Sequence, residues 1–338
     1  MVCLAISYLS PVSAVFLTFS FSHFYFLTSH FLFLNSHSHS QFSLLTLMLR
    51  VAYVPEHFLT PLFFAQLQNY YAEAGIQVSF IPVIEGTGRL VRLLSDGEVD
   101  IAIGLTEGFI ADVAKGNDAY KVVGTYVESP LCWAVSTGAS RNEITSTKDV
   151  LGKKIGVSRI GSGSYIMSFV LGLELGATKP FFSDFPVLSN FANLRQSVND
   201  GSSDAFMWEY FTTKKYYDNH ELKQIGEIYT PWPLWVITAR RDVDSTQLTS
   251  FVASVARGID YFNSHHDEAV AYISTNLDYS EEDARKWLTT VRFSSGLGSQ
   301  KLDWDRVVTK TASVLQTAGV LTDSDEVITE RLRNGVEN

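Results

Sequence analysis

The chain has 338 residues, with 26 Lys and Arg against 36 Asp and Glu, so its formal net charge at pH 7 is -10. This balance argues against nucleic acid as a partner, because phosphate contacts need a clustered basic surface. The two cysteines, Cys3 and Cys132, can build neither a disulfide framework nor a four-cysteine zinc site. A hydrophobic content of 46% excludes a disordered polar chain, and the length allows about two domains.

Residues 1–48 form an uncharged apolar leader, since the first Asp, Glu, Lys or Arg is Arg50. No basic residue precedes the apolar run, as a secretory signal requires. The stretch from Val12 to Leu34 is long enough to span a membrane, although Ser, Thr and His dilute it. We expect the leader to be dispensable for the fold. A membrane anchor or an unusual targeting segment is the alternative, and the membrane is an expected partner only if the leader is retained.

Strands and helices alternate from Leu49 onward. Residues 49–54 predict a first strand, and Thr60-Pro61 then opens a helix that Gly75 ends. Further strands are predicted at residues 76–83, 100–104, 121–127 and 131–137, with helices at 86–95 and 106–115 after the first two of them.

The same alternation then restarts and ends in a helical tail. The predicted strands are residues 153–158, 185–188, 203–208, 224–230 and 233–239, and the predicted helices are residues 161–176, 190–199, 210–217 and most of the chain after Arg241. Such alternation indicates a parallel α/β sheet. We predict two lobes, residues 49–136 plus 236–338 and residues 137–235, with hinges near Ser136 and Trp235 and the ligand cleft between the lobes.

Three segments carry a resemblance to a known family. They are YVPEHFLTPLFFAQLQNYYAEAGIQVSF at 53–80, LLSDGEVDIAIGLTEG at 93–108 and LGKKIGVSRIGSGS at 151–164. In order and spacing they resemble the type 2 periplasmic-binding fold, in the branch that binds thiamine-pyrimidine precursors, sulfonates and nitrate, and they are similar to its intracellular fungal members. The resemblance implies two lobes, each a mostly parallel sheet flanked by helices, and a small-molecule ligand in the cleft, with no cofactor and no metal.

The resemblance also implies where the ligand is contacted. The loop after the first strand brings Glu56 close to the cleft, and Leu105 follows the third strand. The predicted ligand-binding residues are His57, Phe58, Gly86, Thr87, Thr106, Glu107, Ser158, Arg159, Gly161, Ser162, Gly163, Ser164, Trp208, Glu209 and Trp232. Each has a plainer alternative: a solvated loop for His57, helix caps for the Gly, Ser and Thr positions, a favourable first-turn acid for Glu107, and core packing for the aromatic residues.

The residue types narrow the ligand. Trp208 next to Glu209 suits a flat heterocycle that bears an amino group, because the ring can stack and the carboxylate can accept from N–H. The glycine-serine helix start at 161–164 favours an anion instead. We therefore predict a binding protein for a polar metabolite, best an aminopyrimidine-like or related heterocyclic vitamin precursor. A sulfonate- or carboxylate-binding transport receptor is the first alternative.

Catalysis on this scaffold is the second alternative. A cofactor-independent lyase, or a thiamine-pyrimidine biosynthesis enzyme, would share the fold. The related pyrimidine synthase has a histidine where a rough alignment places Ile110, and its cysteine cluster corresponds to the PWPLW segment at 231–235. We therefore favour binding without chemistry and assign no catalytic residue. The adjacent pair His265-His266 is poorly spaced for chelating one metal ion. A cytoplasmic location is expected, with membrane anchoring or secretion through the leader as the alternative.

Overall fold

The computed structural model describes residues 48–337, so the predictions for the leader lie outside the described residues apart from Met48. The strands of this region are β1 (Met48–Tyr53), β2 (Gln77–Pro82), β3 (Ile101–Leu105), β4 (Tyr120–Val127), β5 (Cys132–Gly138), β6 (Ile155–Gly156), β7 (Ala205–Glu209), β8 (Leu222–Tyr229) and β9 (Trp235–Arg240). They form a five-stranded sheet in the order β2-β1-β3-β9-β4 and a four-stranded sheet in the order β6-β7-β5-β8.

Helices connect and flank these strands. The α-helices of the described region are α1 (Thr60–Leu67), α2 (Tyr70–Glu73), α3 (Thr87–Ser95), α4 (Thr106–Ala114), α5 (Gly163–Glu174), α6 (Phe191–Asp200), α7 (Tyr210–Asp218), α8 (Ser245–Ser264), α9 (His266–Asn276), α10 (Glu281–Leu288), α11 (Lys310–Thr317) and α12 (Asp325–Gly335). A π-helical turn, Asp305–Thr309, leads into α11. No helix within residues 48–337 has the length and apolar character needed to cross a membrane.

The two sheets confirm the predicted two-lobed α/β fold, although the pairing within each sheet is mixed. β1 runs parallel to β2 and β3, and β6 runs parallel to β7. β9 is antiparallel to both of its neighbours, and so is β5. These two are the first strands formed after each passage between the sheets. A parallel neighbour requires a helical crossover within one sheet, and β5 and β9 are instead reached from the other sheet. The expectation of mostly parallel sheets is therefore wrong for these two strands.

The chain passes between the sheets at residues 128–131 and 230–234, which separate β4 from β5 and β8 from β9. The sequence placed the first hinge near Ser136, but Ser136 lies inside β5, paired with Phe206 of β7. The segment 131–137 reads as an apolar strand in either lobe, and its pattern does not say which sheet it joins. β9 begins at Trp235, next to the other predicted hinge.

Two helices of the first lobe, α1 and α8, pack closely against each other. α8 packs against α1 at Gly258, where an added Cβ would lie 2.2 Å from the carbonyl oxygen of Pro61. Only glycine allows the two helices to approach this closely. Near the end of the chain, Val336 forms a parallel bridge to Val122 of β4. The helical tail therefore returns to the first lobe, as the sequence predicted.

The tail also contacts the second lobe at two places, which we call the C-terminal clasp. On one side the hydroxyls of Thr212 in α7 and Tyr279 lie 3.1 Å apart, and Lys214 of the same helix is 3.4 Å from Asp283. On the other side the Tyr165 hydroxyl of α5 donates a 3.2 Å hydrogen bond to the carbonyl oxygen of Ala318. The clasp holds both flanks of the second lobe to helices that pack on the first.

Candidate ligand-binding cleft

A cavity of about 150 Å³ lies between the two sheets. It is bounded by the N-terminal ends of α3, α4 and α5 and by the ends of β7 and β9. Its lining residues are Val54, Glu56, Ile84, Glu85, Gly86, Thr87, Leu105, Glu107, Gly108, Leu131, Trp133, Ser158, Arg159, Gly161, Ser162, Gly163, Ser164, Trp208, Glu209 and Trp235. Because three helices start at this cavity, several backbone N–H groups without intrahelical partners are close to it.

The start of α5 is built from small hydroxyl residues. The Ser162 hydroxyl accepts the backbone N–H of Tyr165 at 3.3 Å and so caps the helix. Its oxygen is 2.9 Å from the hydroxyl of Ser164, which in turn accepts the N–H of Ser158 at 3.3 Å. Serine at an N-cap satisfies one of the free first-turn donors. The Ser162 hydroxyl is therefore engaged by the helix itself, and the structure supports its predicted cap role directly.

Glu107, in the first turn of α4, is the most distinctive polar group of the cavity. Its side chain is buried, and its Oε2 accepts a 3.0 Å hydrogen bond from the indole N–H of Trp232. Its Oε1 has no hydrogen-bond partner among the described residues. Burial raises the pKa of Glu107 to about 7, opposed by hydrogen bonds from its own backbone and Trp232 and by the charge of Arg159. Glu107 thus offers the cavity one unused acceptor.

Three further carboxyl groups line the same cavity, and two of them, Glu56 and Glu209, have raised pKa values. The Glu209 Oε2 accepts the N–H of Thr212 at 2.6 Å and caps α7, and burial raises the pKa of Glu209 to about 7. Burial, together with the charge of Glu209, raises the pKa of Glu56 to about 8. A buried carboxyl resists ionisation because its charged form loses hydration. Three of the four acids that line the cavity therefore have pKa values near neutral pH.

Arg159 is the one lysine or arginine among the residues that line this cavity. It comes from the second lobe and packs over the first turn of α3, where a Cβ added at Gly88 would lie 2.5 Å from its Nη2. Burial lowers its pKa from the ordinary value, with repulsion from Arg92 adding to the effect. Arg159 therefore reaches from one lobe to the other at the edge of the cavity.

Three tryptophans, Trp133, Trp208 and Trp235, line the cavity with aromatic rings, and Gly163 leaves room for the first of them. Trp133 is 4% exposed, and its indole Nε1 has no hydrogen-bond partner in the described region. A Cβ added at Gly163 would lie 2.7 Å from the Trp133 ring and 2.9 Å from Oε1 of Glu107. The indole and the carboxylate thus meet over the same glycine. The Trp208 ring stacks on Phe191 with centroids 5.0 Å apart.

The structure brings most of the sequence-predicted residues to one cavity. Those that line it are Gly86, Thr87, Glu107, Ser158, Arg159, Gly161, Ser162, Gly163, Ser164, Trp208 and Glu209. The structure does not place His57, Phe58, Thr106 or Trp232 in the lining.

Those four residues have structural surroundings instead. The His57 ring is buried, 4.3 Å by centroid from both Tyr279 and Trp287, and neither ring nitrogen has a hydrogen-bond partner within residues 48–337. Burial holds the pKa of His57 well below its ordinary value. Phe58 packs beside Trp235 with centroids 5.4 Å apart. The other two residues support neighbouring backbone and side chains: the Thr106 hydroxyl donates to the carbonyl oxygen of Pro233 at 2.6 Å, and Trp232 orients Glu107.

The sequence analysis missed Trp133 and Leu131. Both belong to a segment that was predicted as an internal strand of the first lobe, but they lie where the chain enters the second sheet. Glu56, which the sequence placed near the cleft, does line the cavity, next to the buried His57. Between residues 48 and 337 no group of three or more His, Cys, Asp or Glu is arranged to hold a metal ion.

Two lobes with a cavity at their junction define the periplasmic-binding class of fold, and comparisons agree. Alkanesulfonate-binding SsuA from Xanthomonas axonopodis pv. citri is 12% identical, with a TM-score of 0.68 over 86% of this chain and 98% of that chain. Nitrate-binding NrtA from Synechocystis PCC 6803 is 13% identical, with a TM-score of 0.63 over 85% of each chain. At these identities the likeness shows the fold alone. No curated protein matches the chain.

A more similar structure shows the family. The Candida albicans CA3427 gene product is described as defining a new family with the generic periplasmic binding protein fold. It is 58% identical, with a TM-score of 0.82 over 86% of this chain and 96% of that chain. The family model described as Ca3427-like PBP matches residues 133–228. The chain belongs to this CA3427 family.

Proposed function

We propose that this protein binds a small polar metabolite by closing its two lobes, and that the ligand is an aminopyrimidine-like or related heterocyclic vitamin precursor. The observation that carries the proposal is the unpartnered Oε1 of Glu107 in a cavity with tryptophan walls. A buried polar atom without a partner costs about 1–3 kcal/mol. A ligand N–H that donates to this oxygen would remove that cost.

Size and donor pattern support a single flat ring. A cavity of about 150 Å³ is comparable to an engineered apolar cavity of roughly 150 Å³ that holds benzene. The benzene edge of the Trp133 indole and the unpartnered oxygen of Glu107 lie against the same glycine, Gly163, and the N–H of that indole has no partner among the described residues. An aminopyrimidine presents a ring nitrogen next to an amino group, which matches one donor beside one acceptor.

Charge favours an amine over an anion. Four carboxyl groups, those of Glu56, Glu85, Glu107 and Glu209, line the cavity against the single guanidinium of Arg159. The second candidate is a sulfonate or carboxylate, which the start of α5 and Arg159 would attract. It is also the ligand type of the alkanesulfonate-binding SsuA proteins. Glu56, Glu107 and Glu209 repel such a ligand wherever they are ionised, and their pKa values of about 8, 7 and 7 place that repulsion at and above neutral pH.

The test is a thermal-shift and calorimetry panel of aminopyrimidines, pyrimidines without an amino group, alkanesulfonates and carboxylates. A ligand at 100 times its Kd should stabilise the protein by about 2.7 kcal/mol. In Glu107→Gln the amide oxygen must accept from Trp232, so the amide NH2 faces the ligand and an acceptor becomes a donor. We expect Glu107→Gln to bind the aminopyrimidine at least about tenfold more weakly.

Glu330→Gln, on α12 and away from the cavity, is the matched control and should bind as the wild type does. Stabilisation by a sulfonate in the wild type, with no response to any aminopyrimidine, would reject the proposal in favour of the second candidate. Equal aminopyrimidine affinity in Glu107→Gln would remove Glu107 from the site.

The cellular location belongs to the same proposal. We propose that the protein works in the cytoplasm, in keeping with its resemblance to intracellular fungal relatives. Fractionation of native cells, with detection by an antibody against residues 48–337, tests this. Recovery in the membrane or the culture medium would contradict it.

A further inference from the structure

A second cavity, of about 340 Å³, lies behind the passages between the lobes, and we call it the rear cavity. Its lining residues are Phe58, Ser129, Pro130, Leu131, Cys132, Glu209, Tyr210, Phe211, Glu227, Tyr229, Lys286, Trp287, Thr290 and Val291. The wall from β5, α7 and β8 belongs to the second lobe, and the wall from α10 belongs to the helical tail. The rear cavity is therefore also formed between parts that lie on either side of the hinge.

The cavity between the two sheets, which we call the front cleft, and the rear cavity lie on opposite faces of the same hinge. Cys132 lines the rear cavity and Trp133 lines the front cleft, as expected for neighbouring residues of one strand. Leu131 and Glu209 line both. A rotation about the hinge that widens the front cleft must therefore narrow the rear cavity. A molecule that fills the rear cavity would oppose that rotation.

Both carboxyl groups of the rear cavity accept hydrogen bonds from the second lobe. Glu227 accepts from the Tyr229 hydroxyl at 3.0 Å through Oε1, and the Cys132 thiol donates to its Oε2 at 3.7 Å. Glu209 accepts the N–H of Thr212. These carboxylates are fixed on the second-lobe wall, so a ligand finds few free acceptors there.

The donors of the opposite wall are free. The indole N–H of Trp287 has no hydrogen-bond partner among the described residues, and Trp287 is 2% exposed. The ammonium of Lys286 makes no ion pair within residues 48–337 and lies 5.6 Å from the centroid of the Tyr210 ring. An occupant must therefore bring acceptors to the α10 wall and an apolar body to the aromatic walls.

We propose that the rear cavity is a second ligand site, which takes a small aromatic carboxylate and thereby holds the front cleft closed. The carboxylate contacts Lys286 and Trp287 on the α10 wall, away from the hydrogen-bonded carboxyl groups of Glu209 and Glu227 on the second-lobe wall. The ring packs among Phe58, Tyr210 and Phe211. This site does not depend on the identity of the ligand in the front cleft. Its effect on the front cleft follows from the shared hinge.

Benzoate is the probe for binding, measured by calorimetry on the full-length chain. We expect Lys286→Met to weaken benzoate at least tenfold and Thr290→Trp, which fills the rear cavity from its rim, to abolish binding. Lys310→Met, an exposed lysine on α11, is the matched control and should bind benzoate as the wild type does. Unchanged circular dichroism of each variant shows that it folds.

Closure is read from spin labels on the two lips of the front cleft. Ile84 and Ile160 are 83% and 58% exposed, and replacing each by a ketone-bearing amino acid for a ketone-specific spin label places one label on each lobe and leaves Cys132 of the rear cavity unchanged. We expect benzoate to shift the distance distribution towards shorter distances.

Three outcomes would overturn the proposal: no binding of benzoate to the wild type, equal binding by Lys286→Met, or loss of binding in Glu107→Gln. The last would place benzoate in the front cleft. Conversely, benzoate binding that survives in Glu107→Gln stands even if the proposed aminopyrimidine fails to bind, so the two proposals can fail separately.

Discussion

Glu56, Glu107 and Glu209, which line the front cleft, differ in the hydrogen bonds that their carboxyl groups accept. Glu107 is oriented by Trp232 and Glu209 by the start of α7, whereas the Glu56 side chain makes no hydrogen bond to another residue in the described part of the chain. Glu56 accordingly has the highest pKa of the three, about 8 against about 7. The less a buried carboxylate is hydrogen-bonded, the more its charged form is disfavoured.

This predicts a pH dependence of stability. The pKa of Glu56 is raised on folding, so the folded state holds a proton that the unfolded chain releases above about pH 4.5. Stability should therefore fall as pH rises towards 8, by at most about 1.4 kcal/mol per pH unit for this group. His57 acts in the opposite sense below about pH 6.5, because its pKa is lowered. The free energy of unfolding in urea, measured between pH 6.5 and 8, therefore reports the contribution of the acids without that of His57.

Glu56→Gln should flatten that slope, and Glu330→Gln should leave it unchanged. Identical slopes for the wild type and Glu56→Gln would show that Glu56 is ionised in the folded protein at neutral pH.

The sequence could predict which polar residue types line the cleft better than it could predict the direction in which each side chain points. Glu107, Arg159 and the serines were found because they follow strands or open helices, where ligand sites lie. His57 was misplaced because a loop next to a cleft presents neighbouring side chains to different sides. Glu56 faces the cavity, while His57 turns into the aromatic core.

Among the helices, α5 has little room for an added atom at its first residue, where it meets the front cleft. Gly163 has an ordinary helical backbone, so alanine is allowed there by conformation, yet its Cβ would meet Trp133 and Glu107. The helix starts at this residue because Ser162 caps it. The sequence could identify the capped start. It could not show that the indole of Trp133, from β5, would lie against it.

Gly163→Ala should therefore keep the fold and impair binding. We expect at least tenfold weaker affinity for the front-cleft ligand, since the methyl group displaces either the two side chains or the lobes themselves. Calorimetry with the best compound of the panel measures this. Gly124→Ala is the control, because its added Cβ meets only Leu297, at 3.3 Å, far from the cleft. Unchanged affinity in Gly163→Ala would show that Trp133 and Glu107 move freely.

For the whole molecule the decisive contacts are those of the C-terminal clasp. The sequence predicted that the helical tail packs on the first lobe, and it does. Contacts from the tail to α5 and α7 were not predicted, because hydrogen bonds between distant segments leave no periodic signal in a single sequence. They restrain the second lobe in addition to the two hinge passages.

Loss of a clasp bond should favour the open form. Tyr165→Phe removes the hydrogen bond to the carbonyl oxygen of Ala318. A neutral hydrogen bond contributes about 1 kcal/mol, so the ratio of open to closed molecules should rise roughly fivefold. Small-angle scattering should show a larger radius of gyration than for the wild type or for Tyr70→Phe, whose hydroxyl lies outside the clasp. An unchanged radius would mean that the clasp bond survives opening.

The placement of the indoles has a practical consequence. Of the six tryptophans in the chain, Trp133, Trp208 and Trp235 line the front cleft and Trp232 touches one of its acids. The intrinsic emission of the protein therefore comes largely from the surroundings of one small volume. A compound that enters it should quench or shift that fluorescence, so an unlabelled sample can be screened in a plate reader against thousands of metabolites.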